Sequence, residues 1–232
     1  MKRQIALVED EAAIAANYQA AFERLGFNVN IYTTRAQALD EFACNGLPDL
    51  AIIDVGLADE YEGGFDLCRQ LREQSATLPI IFLTARDSEL DEVSGLRLGA
   101  DDYLTKDISL PQMIARVKAL LRRVDALNSQ INSPSDSLTR GAMVIDNLTM
   151  TISWQGQPVE LTLTEFWIVH ALAKYPGQVK SRQQLMDAAN VVQDDNTITT
   201  HIKRIRQKFK SLDQSFDHIR TAYGMGYRWS AE

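Results

Sequence analysis

The chain has 232 residues, with 24 Lys plus Arg against 31 Asp plus Glu, a formal net charge of −7, and is 45% hydrophobic. That length predicts two domains of ordinary size, and the balanced composition excludes a disordered or fibrous chain. With no run of about 18 apolar residues, no membrane-spanning helix and no membrane partner are expected. Carboxylates follow MKRQIALV too early for the apolar core of a secretory signal. Cys44 and Cys68 form no CxxC pair, so a reduced, cytoplasmic setting is expected.

An acidic total argues at first against nucleic acid, but the charge is unevenly divided. Residues 1–125 hold 13 basic and 21 acidic side chains, net −8, whereas residues 126–232 hold 11 and 10, net +1. Within the second part, Asn196 to Lys210 carries Lys203, Arg204, Arg206, Lys208 and Lys210 with no acid. Between the halves, ALNSQINSPSDSL is rich in Ser and Asn and reads as a flexible linker. The expected organisation is therefore a domain over 1–125, a linker over 126–137 and a second domain over 138–232.

In chain order, QIALV (4–8), NVNIY (28–32), LAIID (50–54), PIIFL (79–83) and DYLT (102–105) are short apolar runs of the kind buried on both faces of a parallel sheet. Segments 11–25, 34–45, 65–74, 87–98 and 110–124 have helical periodicity. Parallel strands need crossovers, so this alternation predicts a doubly wound α/β sheet. Ligands of such sheets bind beyond the carboxyl ends of the strands, where strand order reverses. There this sequence sets Glu9, Asp10, Asp54, Thr84 and Lys106. Each carboxylate singly reads as a solvated strand end; together they would repel without a cation. Hard oxygen donors in an open site suit Mg²⁺. With the Lys106 charge and the Thr84 hydroxyl, such a site complements a phosphoryl group.

The motifs VEDE (8–11), IIDVGL (52–57), FLTA (82–85) and GADDYLTK (99–106) resemble the receiver domain of two-component response regulators. The resemblance implies a (βα)5 fold with a five-stranded parallel sheet, and Asp54 as acceptor of a phosphoryl group from a sensor histidine kinase. It implies Mg²⁺ held by Glu9, Asp10, Asp54 and the carbonyl of Gly56, and Thr84 and Lys106 on the phosphoryl oxygens. Tyr103 would be the switch aromatic, turning into space opened when Thr84 moves, a bistable element biased by local charge.

Three departures stand out. Asp107 takes the place of the usual Pro after the lysine. Because a cis bond before a non-proline costs ~3 kcal/mol, either a strained cis peptide or a repositioned Lys106 is expected. The loop ADEYEGGF (58–65) is longer than usual and lacks its customary Pro. Many relatives dimerise on phosphorylation through charged groups, of which Asp101, Asp102, Arg116 and Arg123 are present. Glu92 with Gln112, and Arg97 with Lys118, do not make the other pairs.

In the second half, 142–146, 150–154 and 158–162 read as strands of a small antiparallel sheet. A helix capped by Thr164 and closed by Pro176–Gly177 follows, then one capped by Ser181 with Gln184 at the capping-box position. In the third helix Ile198, Ile202, Ile205 and Phe209 form one apolar stripe. Thr197, Thr200, Lys203, Arg204, Gln207 and Lys208 lie largely off it, with Arg206 on a flank. A helix with this basic, hydroxyl-rich side fits a major groove about 12 Å wide. HIRTAYGMGYRWS reads as a hairpin.

LTLTEFWIV, YPGQVKSRQQL, TITTHIKRIRQKF and GMGYRW resemble the winged helix-turn-helix effector of the OmpR/PhoB group, an α+β domain. The resemblance implies promoter DNA and RNA polymerase as partners, with a DNA-contacting recognition helix over Thr197 to Lys208, Arg204 and Thr200 at base edges and Thr197, Lys203 and Arg206 mostly on phosphates. Here Asn196 and Thr199 replace a usual Arg and Asp, Tyr223 replaces a wing Arg, and the loop AANVVQDD is short.

Taken together, the expected function is a phosphorylation-controlled transcription factor and not an enzyme. A phosphatase of the haloacid dehalogenase type would need a second Asp two residues beyond Asp54, where Gly56 stands. A regulator acting without phosphorylation would show a broken acidic pocket.

Overall fold

The computed structural model describes residues 2–57, 60–86, 89–129, 137–147, 149–189 and 195–230. The chain divides into two compact units, Met1–Leu121 and Arg122–Glu232.

Strands and helices alternate through the first unit and into the first residues of the second: β1 (Gln4–Val8), α1 (Ala12–Arg24), β2 (Asn28–Tyr32), α2 (Arg35–Asn45), β3 (Leu50–Ile53), α3 (Gly63–Gln74), β4 (Ile80–Thr84), α4 (Glu89–Leu98), β5 (Asp102–Thr105) and α5 (Leu110–Ser129). The strands form one parallel sheet in the order β2-β1-β3-β4-β5. Alternate residues of each strand feed opposite faces. Ala6, Val8, Ile53 and Phe82 join one core, and Ile5, Leu7, Ile52 and Ile81 the other. Both faces are covered, which is why these strands read as continuous apolar runs. The α5 helix continues to Ser129, past the residue where the linker was expected to begin, and residues 130–136 of that linker lie outside the described residues.

Strand register sets the carboxyl edge. Order reverses between β1 and β3, where Val8 pairs with Ile53, so Glu9 and Asp54 leave the sheet side by side. Thr84 pairs with Thr105, bringing Lys106 next to Thr84, and the Lys106 N–H donates to the Thr84 carbonyl at 2.8 Å.

The second unit opens with an antiparallel sheet of four strands, not three: β6 (Ser137–Arg140), β7 (Met143–Asp146), β8 (Thr151–Trp154) and β9 (Gln157–Val159). The additional strand, SLTR, is a half-exposed edge without the apolar run that marks a buried strand. Gln155 (φ 52°) and Gly156 (φ 78°) make the two-residue turn between β8 and β9. The helix α6 (Leu163–Lys174) starts earlier than expected: Thr162, not Thr164, is the cap, in a capping box closed by Glu165. Thr164 lies buried inside the helix. Ser181 caps α7 (Arg182–Ala188) with Gln184 in its box, as expected.

The helix α8 (Asp195–Leu212) seats Ile198, Ile202, Ile205 and Phe209 in the core. Phe209 stacks on Phe216 at 4.4 Å, and Trp154 meets Phe216 edge-on at 5.1 Å. The terminal hairpin, β10 (Ile219–Ala222) and β11 (Gly226–Trp229), bridges back to Lys180 through Tyr227. Gly226 is required there, since a Cβ would lie 2.1 Å from the Lys180 carbonyl oxygen.

Candidate functional site

Glu9, Asp10, Asp54, Thr84 and Lys106 do converge at the carboxyl edge of the sheet. Carboxylate oxygens of Glu9, Asp10 and Asp54 lie within 4.8 Å of one another. The Lys106 Nζ bridges them, 2.7 Å from Asp54 Oδ2 and 2.9 Å from Glu9 Oε1. It also lies 2.9 Å from Glu11 Oε1, a contact not anticipated although Glu11 ends the VEDE motif. Burial alone would lower the Lys106 pKa, but its hydrogen bonds to Asp54, Glu11 and Glu9 outweigh burial and raise it above the usual lysine range. Glu9 is 1% exposed, and desolvation raises its pKa above the ordinary carboxylate value. Its second oxygen, Oε2, is buried without a hydrogen-bond partner. A buried, unpartnered carboxylate oxygen beside two further carboxylates is what a hard divalent cation would satisfy, so the donor set fits such an ion.

The peptide between Lys106 and Asp107 is not cis, nor is Lys106 drawn away from Asp54. Both expected consequences of Asp107 are thus absent. The Ile108 N–H closes a turn on the Thr105 carbonyl at 3.0 Å, and the Asp107 carboxylate accepts from the Thr105 hydroxyl. The long lysine side chain reaches the acids from this ordinary backbone. Gly64, not singled out in the sequence, supports Asp54 from behind: a Cβ there would lie 1.9 Å from the Asp54 carbonyl oxygen. Gly56 lies half-buried just past β3. The long loop folds on itself through Leu57 and Glu60, whose backbones exchange bonds of 3.1 and 2.8 Å; Ala58 and Asp59 lie outside the described residues. Tyr103 is 4% exposed, its ring against Phe82 at 6.0 Å and its hydroxyl donating to the Arg86 carbonyl at 3.2 Å.

In the second unit, the residues off the apolar stripe of α8 divide into two columns. Thr197, His201 and Arg204 are buried and, with half-buried Lys208, run along one side of the stripe. The Arg204 Nε lies 3.2 Å and the Lys208 Nζ 2.6 Å from the carboxylate of Glu165, whose side chain is 0% exposed. Burial pushes the Glu165 pKa up, but Arg204 and Lys208 outweigh it and hold the carboxyl below its ordinary value. Arg204, expected at a base edge, and Thr197, expected on a phosphate, therefore face the protein interior. The opposite side carries exposed Thr199, Lys203, Gln207 and Lys210, with Thr200 half-exposed. Arg206 donates to the Ile219 carbonyl at 2.9 Å and to the Thr221 hydroxyl at 2.9 Å, tying α8 to the hairpin. Tyr223, at the hairpin tip, is 92% exposed.

Residues 5–118 match the family model of the response regulator receiver domain, and residues 156–229 that of the C-terminal part of transcriptional regulatory proteins. The chain is 42% identical over 224 residues to the transcriptional regulatory protein CreB of Escherichia coli K12, covering 95% of each. It is a response regulator of the OmpR/PhoB family. It is also 37% identical over 227 residues to the sensory transduction protein RegX3 of Mycolicibacterium smegmatis, covering 97% of each. Among solved structures, a mutant of RitR shares the fold at a TM-score of 0.79 and 21% identity, over 99% of this chain and 100% of that one. DrrB, an OmpR/PhoB homologue from Thermotoga maritima, is 27% identical with a TM-score of 0.51, both chains being covered in full. This regulator is thus a phosphorylation-controlled, DNA-binding transcription factor.

Of the charged residues expected at a regulator dimer face, Asp101, Asp102 and Arg116 are engaged within the chain. Asp101 is 0% exposed and pairs with Arg72 at 2.9 Å, and the same carboxylate accepts from the Ile80 N–H at 3.0 Å. Asp102 pairs with Arg116 at 2.9 Å. The Arg123 and Glu92 side chains lie outside those described, as do residues 190–194 of the short loop before α8. Among the described residues, no helix is long and apolar enough to cross a membrane.

Proposed function

We propose that Asp54 accepts the phosphoryl group from a sensor histidine kinase, and that Glu9, Asp10 and Asp54, with the Gly56 carbonyl, hold Mg²⁺. The observation that carries this reading is the Lys106 ammonium seated between Asp54 and Glu9 at 2.7 and 2.9 Å. When bound, the cation would supply charge neutralisation as phosphoryl oxygens approach the acids. Lys106 holds a fixed positive charge on the opposite side, and Thr84 offers a hydroxyl donor. Lys106 already touches the acids, so little reorganisation of that charge accompanies charge development, whereas Thr84 moves toward the phosphoryl group. Tyr103 is the packing element that follows Thr84.

Phosphorylation then promotes a homodimer whose two effector domains take adjacent half-sites on promoter DNA, from where they act on RNA polymerase in the cytoplasm. Within this reading, Lys203 and Lys210 contact phosphates, and Thr199, Thr200 and Gln207 face the base edges. Arg206 bonds the hairpin and a phosphate in turn. Arg204 and Lys208 act instead as internal struts on Glu165. Asp101 leaves the set of dimer-contact residues, while Asp102, Arg116 and Arg123 stay in it.

Incubating the full chain with Mg²⁺ and BeF₃⁻ tests the proposal. Dimerisation and tighter operator binding are expected, and both should vanish in Asp54→Ala. Equal gains in Asp54→Ala, or none in the wild type, would refute it.

A further inference from the structure

One residue, Arg86, touches every moving part named above. Its backbone N–H donates to the Thr84 hydroxyl oxygen at 3.3 Å, and its carbonyl accepts from the Tyr103 hydroxyl at 3.2 Å. Its guanidinium lies over the Tyr61 ring, 3.7 Å from the centroid, and donates to the Tyr61 carbonyl. A further ion pair reaches Asp91 at 3.7 Å. Tyr61 is itself 77% exposed, so packing into a core does not explain its place. It belongs to the long 58–65 loop, whose other flank is held by Arg35 on Glu60 at 2.8 Å. β3 and β4 are adjacent in the sheet, so the Tyr61–Arg86 contact joins the two loops that flank Asp54.

We propose that Tyr61 and Arg86 form a latch that holds the phosphoryl site in its resting arrangement, with both acting as positioning residues. Phosphoryl capture draws the Thr84 hydroxyl toward Asp54. Because Thr84 and Tyr103 are both bonded to Arg86, that movement pulls on the Arg86 backbone. The guanidinium is anchored on a loop stapled at its far side, so it resists. Phosphoryl binding must therefore break or stretch the cation–ring contact, and the contact biases the equilibrium against the active arrangement. The inference rests on Asp54 being the acceptor.

The test is a titration of the full chain with BeF₃⁻ in saturating Mg²⁺, with occupancy read by fluorine NMR. A contact of this kind is worth ~0.5–1 kcal/mol at exposed sites, so Tyr61→Ala should half-saturate at a BeF₃⁻ concentration lower by about 2- to 5-fold. Tyr61→Phe keeps the ring and should match the wild type. Arg86→Ala should move in the same direction as Tyr61→Ala, and the double variant should go no further than Arg86→Ala, because one contact is removed twice. A variant that merely loosened the fold would bind more weakly, which is the opposite sign. Wild-type affinity in Tyr61→Ala, weaker binding, or effects of the two substitutions that multiply would each overturn the latch. If the wild type takes up no BeF₃⁻, or Asp54→Ala still does, the acceptor assignment itself falls, and the latch with it.

Discussion

Arg204 separates a base-reading role from a structural one. It is 8% exposed, and its Nε sits 3.2 Å from the Glu165 carboxylate. Removing one partner of a buried pair costs about 3–5 kcal/mol. Here Glu165 keeps Lys208 at 2.6 Å and the Thr162 N–H at 2.9 Å, so Arg204→Met is expected near ~2–3 kcal/mol, below that range. For a domain of this size, that lowers the unfolding midpoint by about 10–20 °C. Tryptophan fluorescence of the full chain reports the right unit, because its three tryptophans, Trp154, Trp167 and Trp229, all lie in it. The double variant Arg204→Met, Glu165→Leu should lose less than the two single losses added, since no charge is then stranded by the missing guanidinium. The pair should also mark the acid limb. The Glu165 pKa is held below its ordinary value of 4.5, so its contribution is complete above that pH and is lost as pH falls through the depressed value. Glu165→Gln should remove this pH dependence. A midpoint within about 2 °C of the wild type for Arg204→Met, together with relaxed preference at one base pair, would refute the structural role.

Three other outcomes follow from the same geometry. Lys203→Ala should weaken binding to all DNA sequences alike and reduce the salt slope by ~1, measured by fluorescence anisotropy over a salt series; an unchanged slope removes Lys203 from the phosphate contacts. Gly64→Ala should slow acetyl-phosphate labelling of Asp54 by about 10²-fold, because its Cβ would displace the Asp54 backbone from 1.9 Å and misplacements of this order cost that much. A wild-type labelling rate would mean that the α3 N-terminus yields instead. Asp101→Ala should destabilise the receiver by about 3 kcal/mol in urea unfolding, because the Arg72 guanidinium loses its charge partner and the Ile80 N–H its acceptor, while dimerisation persists; a lost dimer with unchanged stability would return Asp101 to the interface.

The patterns legible along the chain are those with a local cause. Apolar runs and crossovers carry the parallel sheet, and five chemically matched residues at strand ends carry the candidate site, because strand ends of a parallel sheet must emerge at one edge. The cap of α6 is misplaced by sequence reading although T-x-x-E at Thr162 and Glu165 spells a capping box, since the second threonine offers a competing start. Glu165 itself is the missed signal. A lone acid in the apolar run LTLTEFWIV must be neutralised when buried, and the cations of α8 are a ready pool in the same unit.

Residue type at a fixed spacing is enough for the fold class, the domain order, the residues that gather at the carboxyl edge of the sheet and the family, because each of these repeats a local pattern. Which cations of α8 face out is decided by packing. Helical periodicity names the stripe but not the width of its buried face, and α6 meets the neighbouring column where Glu165 pairs with Arg204. Packing also decides that Asp101 belongs to Arg72 and that Arg86 reaches Tyr61, because such pairings join residues far apart in the chain and arise only when the fold brings them within a bond's length.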